Sequence, residues 1–514
     1  MPKDTYYLTT PIYYVNDVPH IGHAYTTVAA DVLARWRRLN GDRVHFLTGT
    51  DEHGQKVARA AEERGLTPQE HCDDILPRWQ EMLELLRISN DDFIRTTEDR
   101  HEARVQEFMQ RLYDQGDLYK STYSGPYCVR CEAYYAESEL ADGDLCPIHR
   151  YPVERLEQEN WFFRLSKYAP ALLELYDTNP GFVQPDVRRN EVRAFVEGGL
   201  DDISATRTEF SWGVPAPWEE GHIFYVWFDA LLNYITAAGY GADHDAFDRR
   251  WPADVHLIGK DILRFHAVYW PAMLMAAGVE VPNQVYAHGF LLVGGEKMGK
   301  SNATGIRPAE LVDHFGIDCY RYYFLREISF GQDGTFSWES MEDRYTNDLA
   351  NDLGNLVNRV LNMVGSYRQG IVPPPAGPAG DAEAQLSADR QTAVAGLAAF
   401  DHLSFKKGLE DLWALVRGVN RYVETRQPWA LNKQGADADL DRALYECVDA
   451  LRIIAVLTSP VMPDMAEALW AKLGMDEPLE DQRLPEAAEP GGLPPGVATE
   501  RGDVLFPKLE EAEV

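Results

Sequence analysis

The chain has 514 residues, too many for one compact core, and length alone predicts about three domains. Apolar residues make up 45% and charged residues 25% of it, the balance of an ordinary globular enzyme. The formal net charge of −33 argues against a non-specific nucleic-acid binder, which neutralises phosphates with Lys and Arg. It leaves room for an enzyme that reads one RNA through a few contacts, because charge bears on steering and solubility rather than fold.

The N-terminus, MPKDTYYLTT, lacks a basic-then-apolar leader pattern. The longest uncharged apolar stretch, 267–279, falls short of a membrane span and contains Pro271. We therefore expect a cytoplasmic protein with no membrane partner. Residues 5–15 (TYYLTTPIYYV) are aromatic and β-branched and predict a buried strand. After the turn NDVP, a spacing of three and four through Ile21, Ala24, Tyr25, Val28, Val32, Leu33 and Trp36 predicts a helix that stops at Gly41. A second strand, 44–54, runs into a polar loop, and a helix follows from about Gln55 to Arg64. This order predicts a doubly wound parallel α/β sheet of the Rossmann type.

The alternation stops near residue 120. A tyrosine-rich stretch with three cysteines extends to about 220 and reads as an insertion splitting the first domain. Strand-like runs at 222–228, 255–261 and 284–293 restore the α/β pattern, and from about 341 the chain turns helical. A proline-rich link at 371–380 interrupts the helices, and 440–455 carries Leu440, Leu444, Val448, Leu451 and Ala455 on one face, as in a helical bundle. The expected domains are residues 1–117 and 222–288 for the split sheet, 118–221 for the insertion, 289–345 for a connecting region and 346–514 for the helical domain.

Three motifs carry chemistry. His20-Ile21-Gly22-His23 opens the first helix, where free N–H groups and the positive dipole end favour anions and Gly22 allows close approach to the backbone. Lys297-Met298-Gly299-Lys300-Ser301, after Gly294-Gly295, offers two ammonium groups and a hydroxyl suited to a polyphosphate. Either alone is weak, since two surface histidines or a solvated basic turn would explain it. Cys128-Val129-Arg130-Cys131 and Cys146-Pro147-Ile148-His149 form a C-x2-C…C-x2-H pattern. Four soft ligands in two close pairs suit one tetrahedral Zn2+ per chain, and a full ligand set makes the site structural.

HIGH near the N-terminus and a KMSKS-like loop late in a split α/β domain resemble the class I aminoacyl-tRNA synthetases. Gly299 departs from the loop's usual Ser, while both lysines and Ser301 are retained. Within that class, TTPIYYVNDVPHIGHAY, GTDEHGQK, FYVWFDALLNY, HLIGKDILRFHAVYWPAML and HGFLLVGGEKMGKS are similar to the methionyl-tRNA synthetase family, and the likeness covers nearly the whole chain. An insertion of about a hundred residues is too short for the editing domain of the leucine, isoleucine and valine enzymes. Cysteinyl enzymes use zinc at the active site instead of in a compact knuckle.

This resemblance implies a methionine pocket made by Ile12, Tyr14, Asp51, Trp227, Ala230, Leu231, Tyr234, Ile262, Phe265, His266 and Trp270. A thioether packs well against aromatic edges, Tyr14 would meet the sulfur, and Asp51 the substrate ammonium. Leu231 stands where the family has Pro. ATP, with Mg2+, would lie along His20, Gly22, His23, Gly259, Lys260, Asp261, Lys297, Lys300 and Ser301, with His20, His23, Lys297 and Lys300 stabilising the charge that moves as pyrophosphate leaves. The RNA partner would be tRNA(Met), initiator included, its anticodon read by Asn355, Arg359 and Trp429, residue types suited to stacking on and hydrogen bonding with unstacked bases. We expect a monomer. Two rivals are another HIGH-type nucleotidyltransferase, which would have no base-reading helical domain, and an inert RNA-binding descendant, which would have lost its phosphate-binding histidines or lysines.

Overall fold

The structure is a computed structural model. It describes residues 3–509 apart from 17, 142, 149, 294–295 and 298–305, with the backbone alone at 133–134, 293 and 296–297. The chain forms two units: the first comprises residues 1–19, 43–84 and 89–289, the second 20–42, 85–88 and 290–514.

The first unit is built on a parallel sheet. Across it run Asp92–Arg95, Arg43–Asp51, Thr5–Thr9, Val255–Gly259, Val285–His288 and Val183–Gln184, with the short Tyr13–Tyr14 also paired to the end of Arg43–Asp51. Its strands are apolar because both faces are covered; Val255–Ile258 and Val285–His288 are buried throughout. Strand order reverses between Thr5–Thr9 and Val255–Gly259, and the crevice beyond the carboxyl ends of strands at such a switch point is where ligands bind in open α/β sheets. Ile12 and Tyr14 follow the first of these strands, Lys260 and Asp261 the second, and Asp51 ends the strand Arg43–Asp51.

Within this unit, an antiparallel sheet interrupts the α/β pattern, in the order Ala133–Tyr134, Leu118–Cys128, Glu154–Phe163, Ile203–Ser204. The long hairpin Leu118–Cys128/Glu154–Phe163 carries the cysteine-bearing turn at its tip.

The second unit starts with the helix Ile21–Leu39, buried along most of its length. It packs against the strand Leu291–Val293, the middle of a three-stranded sheet with Glu296–Lys297 and Gly334–Phe336. The helices Asn355–Arg368, Asp381–Gly396, Phe405–Arg426, Asp437–Thr458 and Pro463–Lys472 form a bundle with a continuous apolar interior. Arg321, fully buried, ties this unit together: its guanidinium donates to Asp31 Oδ2 (2.6 Å) on the Ile21–Leu39 helix, to Leu86 O (2.8 Å), and to Pro460 O (3.0 Å) and Val461 O (2.8 Å) in the bundle. A buried charge satisfied on every side locks its neighbours because losing one partner strands the rest.

Local readings differ from the sequence expectation in four places. The run 5–15 is two strands, broken at Pro11, which cannot donate to a ladder. The run 222–228 is a short strand, Ile223–Phe224, followed by the helix Val226–Ala230. An apolar run buried on all sides does not reveal which of the two it is. The run 284–293 is two strands in different sheets, Val285–His288 and Leu291–Val293. Pro428-Trp429, which the sequence pattern reads as the end of a helical segment, does not end a helix. The preceding helix ends at Arg426, Gln427 takes a positive φ of 47°, and Pro428 starts the helix Pro428–Gln434, as its preset φ and missing N–H suit.

Candidate functional site

In the first unit most of the residues expected to form the methionine pocket cluster around packed aromatic rings. Trp227 and Phe265 stack at 3.8 Å and 5°, and His266 meets Trp227 edge-on at 6.0 Å. Tyr234 packs at 5.7 Å from His266 and 6.0 Å from Trp270. Ala230, Leu231, Tyr234 and Trp270 are buried, and Ile12, Tyr14 and Ile262 pack against the same core. Phe265–Tyr269 is a π-helical turn, a local widening that occurs often at functional sites.

Hydrogen bonds fix the rings. Tyr234 and His266 Nε2 lie 2.8 Å apart, and His266 Nδ1 is 3.0 Å from Ile262 O. A neutral ring satisfies both, with Nδ1–H donating to the carbonyl and Nε2 accepting from the phenol. Burial pushes the His266 pKa down to about 4, in keeping with that neutral state. Beneath the pocket, Trp270 Nε1 donates to His256 Nε2 (3.2 Å), and His256 Nδ1 is 2.8 Å from Thr9 Oγ1. His256 stacks on Tyr234 at 4.2 Å, and burial holds its pKa well below the usual range.

Three polar atoms of the pocket are buried with no hydrogen-bond partner among the described residues: Tyr14 OH, Asp51 Oδ1 and Trp227 Nε1. Asp51 is 2% exposed. Burial and then the Asp229 and Glu132 carboxylates raise its pKa, and Lys56 opposes them. Lys56 Nζ sits 4.4 Å over the Tyr14 ring. A buried carboxyl of this kind is costly to ionise unless a cation meets it, so a positively charged group beside it would favour its charged form.

The HIGH motif opens the second unit. His20 is the N-cap of the helix Ile21–Leu39, and its ring stacks on His23 at 3.7 Å and 24°. The amide of Gly22 donates to His20 Nδ1 (3.1 Å), and the amide of His20 donates to His23 Nδ1 (3.3 Å). Both Nδ1 atoms therefore accept, which puts the protons on the Nε2 atoms as donors. Gly22 has a further reason to be glycine: a Cβ there would lie 2.9 Å from His20 Cε1. The first helical amide, Ile21 N–H, donates to Ile306 O at 3.2 Å, so the segment following the lysine-rich motif is tied to the start of the HIGH helix. Lys297 ends a strand paired to Leu292, and its side chain lies outside the described residues, as do Lys300 and Ser301 in full. Gly259, Lys260 and Asp261 form the strand end and first turn beyond Val255–Gly259 in the first unit.

Cys128, Cys131 and Cys146 converge, their sulfurs all within 4.8 Å and Cys131 Sγ 3.4 Å from Cys146 Sγ. None is in a disulfide. Two sulfurs on one tetrahedral zinc lie about 3.8 Å apart, given Zn–S bonds of about 2.3 Å, so the three thiols fit such an ion. The expected fourth ligand, His149, lies outside the described residues. Glu132, next to Cys131 and buried, accepts from the Lys56 amide (2.8 Å) and from Tyr127 OH (2.9 Å). This fastens the knuckle to the helix Gln55–Glu63. Gly54, at φ 98°, leads into that helix where a Cβ would lie 2.9 Å from Glu132 Oε1.

In the bundle, Asn355 and Arg359 share a groove of about 420 Å3 with Asn358, Asn362, Met363, Ser366 and Tyr367. Arg359 pairs with Glu424 and donates to Asn420 Oδ1 (3.3 Å). The helix bearing Trp429 packs against the helix Asn355–Arg368, and Trp429 is 41% exposed. A surface tryptophan is a poor core residue and a good stacking platform.

Sequence reasoning passed over Asp229, His53, His101, His256 and Glu132. Asp229, His53 and His256 lay inside quoted motifs, and for Asp229 and His256 the signal was a charged or imidazole group within an apolar run.

Residues 6–158 and 146–361 match the family of tRNA synthetases class I (M), and residues 372–514 match the anticodon binding domain of methionyl tRNA ligase. The chain is 53% identical to a methionine--tRNA ligase of Streptomyces coelicolor, over 98% of this chain and 97% of that one. It is 45% identical to one of Caldanaerobacter subterraneus, over 99% and 79%. A crystal structure of Mycobacterium tuberculosis methionyl-tRNA synthetase bound by methionyl-adenylate superposes with a TM-score of 0.93 at 44% identity, over 99% of this chain and 100% of that one. The chain therefore belongs to the class I aminoacyl-tRNA synthetases and, within them, to the methionyl-tRNA synthetases.

Proposed function

We propose that the aromatic pocket binds L-methionine, that ATP activates it to methionyl adenylate with release of pyrophosphate, and that the methionyl group then passes to the 3' end of tRNA(Met). The observation that carries the pocket assignment is the trio of buried polar atoms without partners, Tyr14 OH, Asp51 Oδ1 and Trp227 Nε1, in an otherwise apolar aromatic slot. Asp51 takes the substrate ammonium and Tyr14 the sulfur, and the apolar side chains from Ile12 to Trp270 enclose the thioether.

On this reading His20, Gly22, His23, Gly259, Lys260 and Asp261 bind ATP, and Lys297, Lys300 and Ser301 hold the phosphates. The substrate carboxylate attacks the α-phosphorus, a step that depends on positioning and charge neutralisation more than on a base. His20 and His23 present Nε2–H donors to that charge. Mg2+, when bound with ATP, supplies further neutralisation of the phosphates. Cys128, Cys131 and Cys146, with His149, hold a structural zinc ion. Asn355, Arg359 and Trp429 read the anticodon of elongator and initiator tRNA(Met), and the chain acts as a cytoplasmic monomer.

Pyrophosphate exchange into ATP, run with each of the twenty amino acids, tests the reading. Methionine alone should drive exchange, and charging should require tRNA(Met). Exchange driven equally well by another amino acid would overturn the pocket assignment. Elemental analysis of the purified protein should return one zinc per chain.

A further inference from the structure

One carboxylate joins the two segments that carry Asp51 and Trp227. Asp229 lies on the helix Val226–Ala230, two residues beyond Trp227 and next to Ala230. Its Oδ2 is 2.6 Å from His53 Nδ1, and its Oδ1 is 2.6 Å from His101 Nε2. His53 follows Asp51 by two residues, and His101 stands on the helix Asp99–Asp114. Asp229 and His101 are 0% exposed and His53 is 3% exposed.

The residues around this trio leave the loop little freedom. Glu52 N–H donates to Thr96 Oγ1 (2.9 Å), Trp212 Nε1 donates to Glu52 O (2.6 Å), and the Gly54 amide donates to Trp212 O (3.2 Å). Trp212 also packs edge-on to His53 at 5.3 Å, and His53 Nε2 lies 3.7 Å from Glu102 Oε1. A carboxylate this deeply buried is tolerable only with charge-assisted partners on both oxygens. Burial would raise the Asp229 pKa, but the two imidazoles hold it down at about 2. His53, which burial would lower, is instead raised by that same carboxylate. Among charged groups, Asp229 acts most strongly against ionisation of Asp51.

We propose that Asp229, bridging His53 and His101, is a positioning residue that holds Asp51 and Trp227 in register for the ammonium and side chain of methionine. The inference rests on the methionine reading of this pocket. Neither Asp229 nor the two histidines touches substrate in this scheme; their effect passes through the two walls of the slot.

The test compares Asp229→Ala, Asp229→Asn and His101→Gln with Asp51→Asn and the wild type in pyrophosphate exchange, titrating methionine and ATP separately. Loss of both bonds in Asp229→Ala should raise the methionine KM about thirtyfold and the ATP KM less than about twofold, as expected for two charge-assisted bonds lost next to one subsite. Asp229→Asn keeps the shape and one bond and should recover to within about fivefold of wild type, and His101→Gln should fall in between. A purely structural role would lower kcat or the folded fraction and leave methionine KM unmoved. Should Asp229→Ala fail to fold, the Asn and His101→Gln variants decide. The proposal is overturned if both fold with an unchanged methionine KM, or if methionine and ATP KM rise together. If Asp51→Asn also leaves methionine KM unchanged, the pocket reading itself falls; if it alone raises that KM, only the positioning role falls.

Discussion

The pocket of the first unit and the groove of the second present their side chains in opposite ways. In the pocket Asp51, Trp227, Tyr234 and Trp270 are buried, and neutral imidazoles at His256 and His266 fix the rings. In the groove Asn355 is exposed and the Arg359 guanidinium is engaged by Glu424 and Asn420, and Trp429, on a helix packed against that of Asn355, is exposed too. A small amino acid offers few atoms, so discrimination must come from a rigid slot whose polar atoms have been desolvated in advance; one methylene is worth only about 1–3 kcal/mol. An RNA loop brings large flat bases and many hydrogen-bonding edges, so exposed amides and an aromatic platform suffice. Removing a buried charge should therefore cost far more than removing an exposed platform.

The largest effect is expected at Asp51. Replacing it with Asn leaves the substrate ammonium without its counter-charge and should raise the methionine KM about a hundredfold, or about 3 kcal/mol, with the tRNA KM unchanged. Steady-state exchange and charging assays read both parameters. A tRNA KM that moved in parallel would break the separation between the two surfaces.

Trp429→Ala should do the converse. Losing one stacked base is worth about 1–3 kcal/mol, so the KM for tRNA(Met) should rise about tenfold while methionine-dependent pyrophosphate exchange stays as in the wild type. Glu424→Gln sharpens the same point. If Glu424 holds Arg359 in place for a base, its loss weakens tRNA binding; if it competes with the base, its loss strengthens it.

Tyr14→Phe is a smaller probe of the pocket. A phenol donating to a thioether makes a weak hydrogen bond, so the variant should raise the methionine KM only about threefold. It should raise that for norleucine, which has no sulfur, less. Equal changes for both substrates would remove the sulfur contact from the account and leave the pocket to shape alone.

The parallel α/β sheet and the aromatic residues that cluster in the first unit were legible because they depend on local patterns: alternating strand and helix, and aromatics within apolar runs. Asp229 was not, since nothing in FYVWFDALLNY says that its one acid meets His53 and His101 from elsewhere in the chain. Long-range polar partners leave no periodic trace. The helix at Val226–Ala230 was missed for a related reason, as a run buried on every side loses the contrast by which period is read. That Asn355 and Arg359 share one helix face was legible in their four-residue spacing, but the exposure of Trp429 was not, and that exposure separates a stacking platform from a core residue.

The same distinction between buried and exposed charge gives an effect on stability alone, with no change expected in either KM. Asp318, in the second unit, accepts from the Met465 amide (2.6 Å) at the start of the helix Pro463–Lys472. Burial, and then Asp464, push its pKa up to about 7 from an ordinary 3.8. Between those values the folded chain holds a proton that the unfolded chain has released. Folding then takes up a proton, and stability falls as pH rises from about 4 to about 7. Asp318→Asn keeps an oxygen to cap the helix and cannot ionise. It should match the wild type at pH 4 and gain on it as pH rises, by about 2 kcal/mol at pH 8, roughly half the full linkage value, since the surroundings relax around a buried carboxylate. Paired thermal melts at the two pH values read this difference. A difference that stayed the same at both pH values would mean that Asp318 titrates in the folded protein as it does unfolded, contrary to its buried setting.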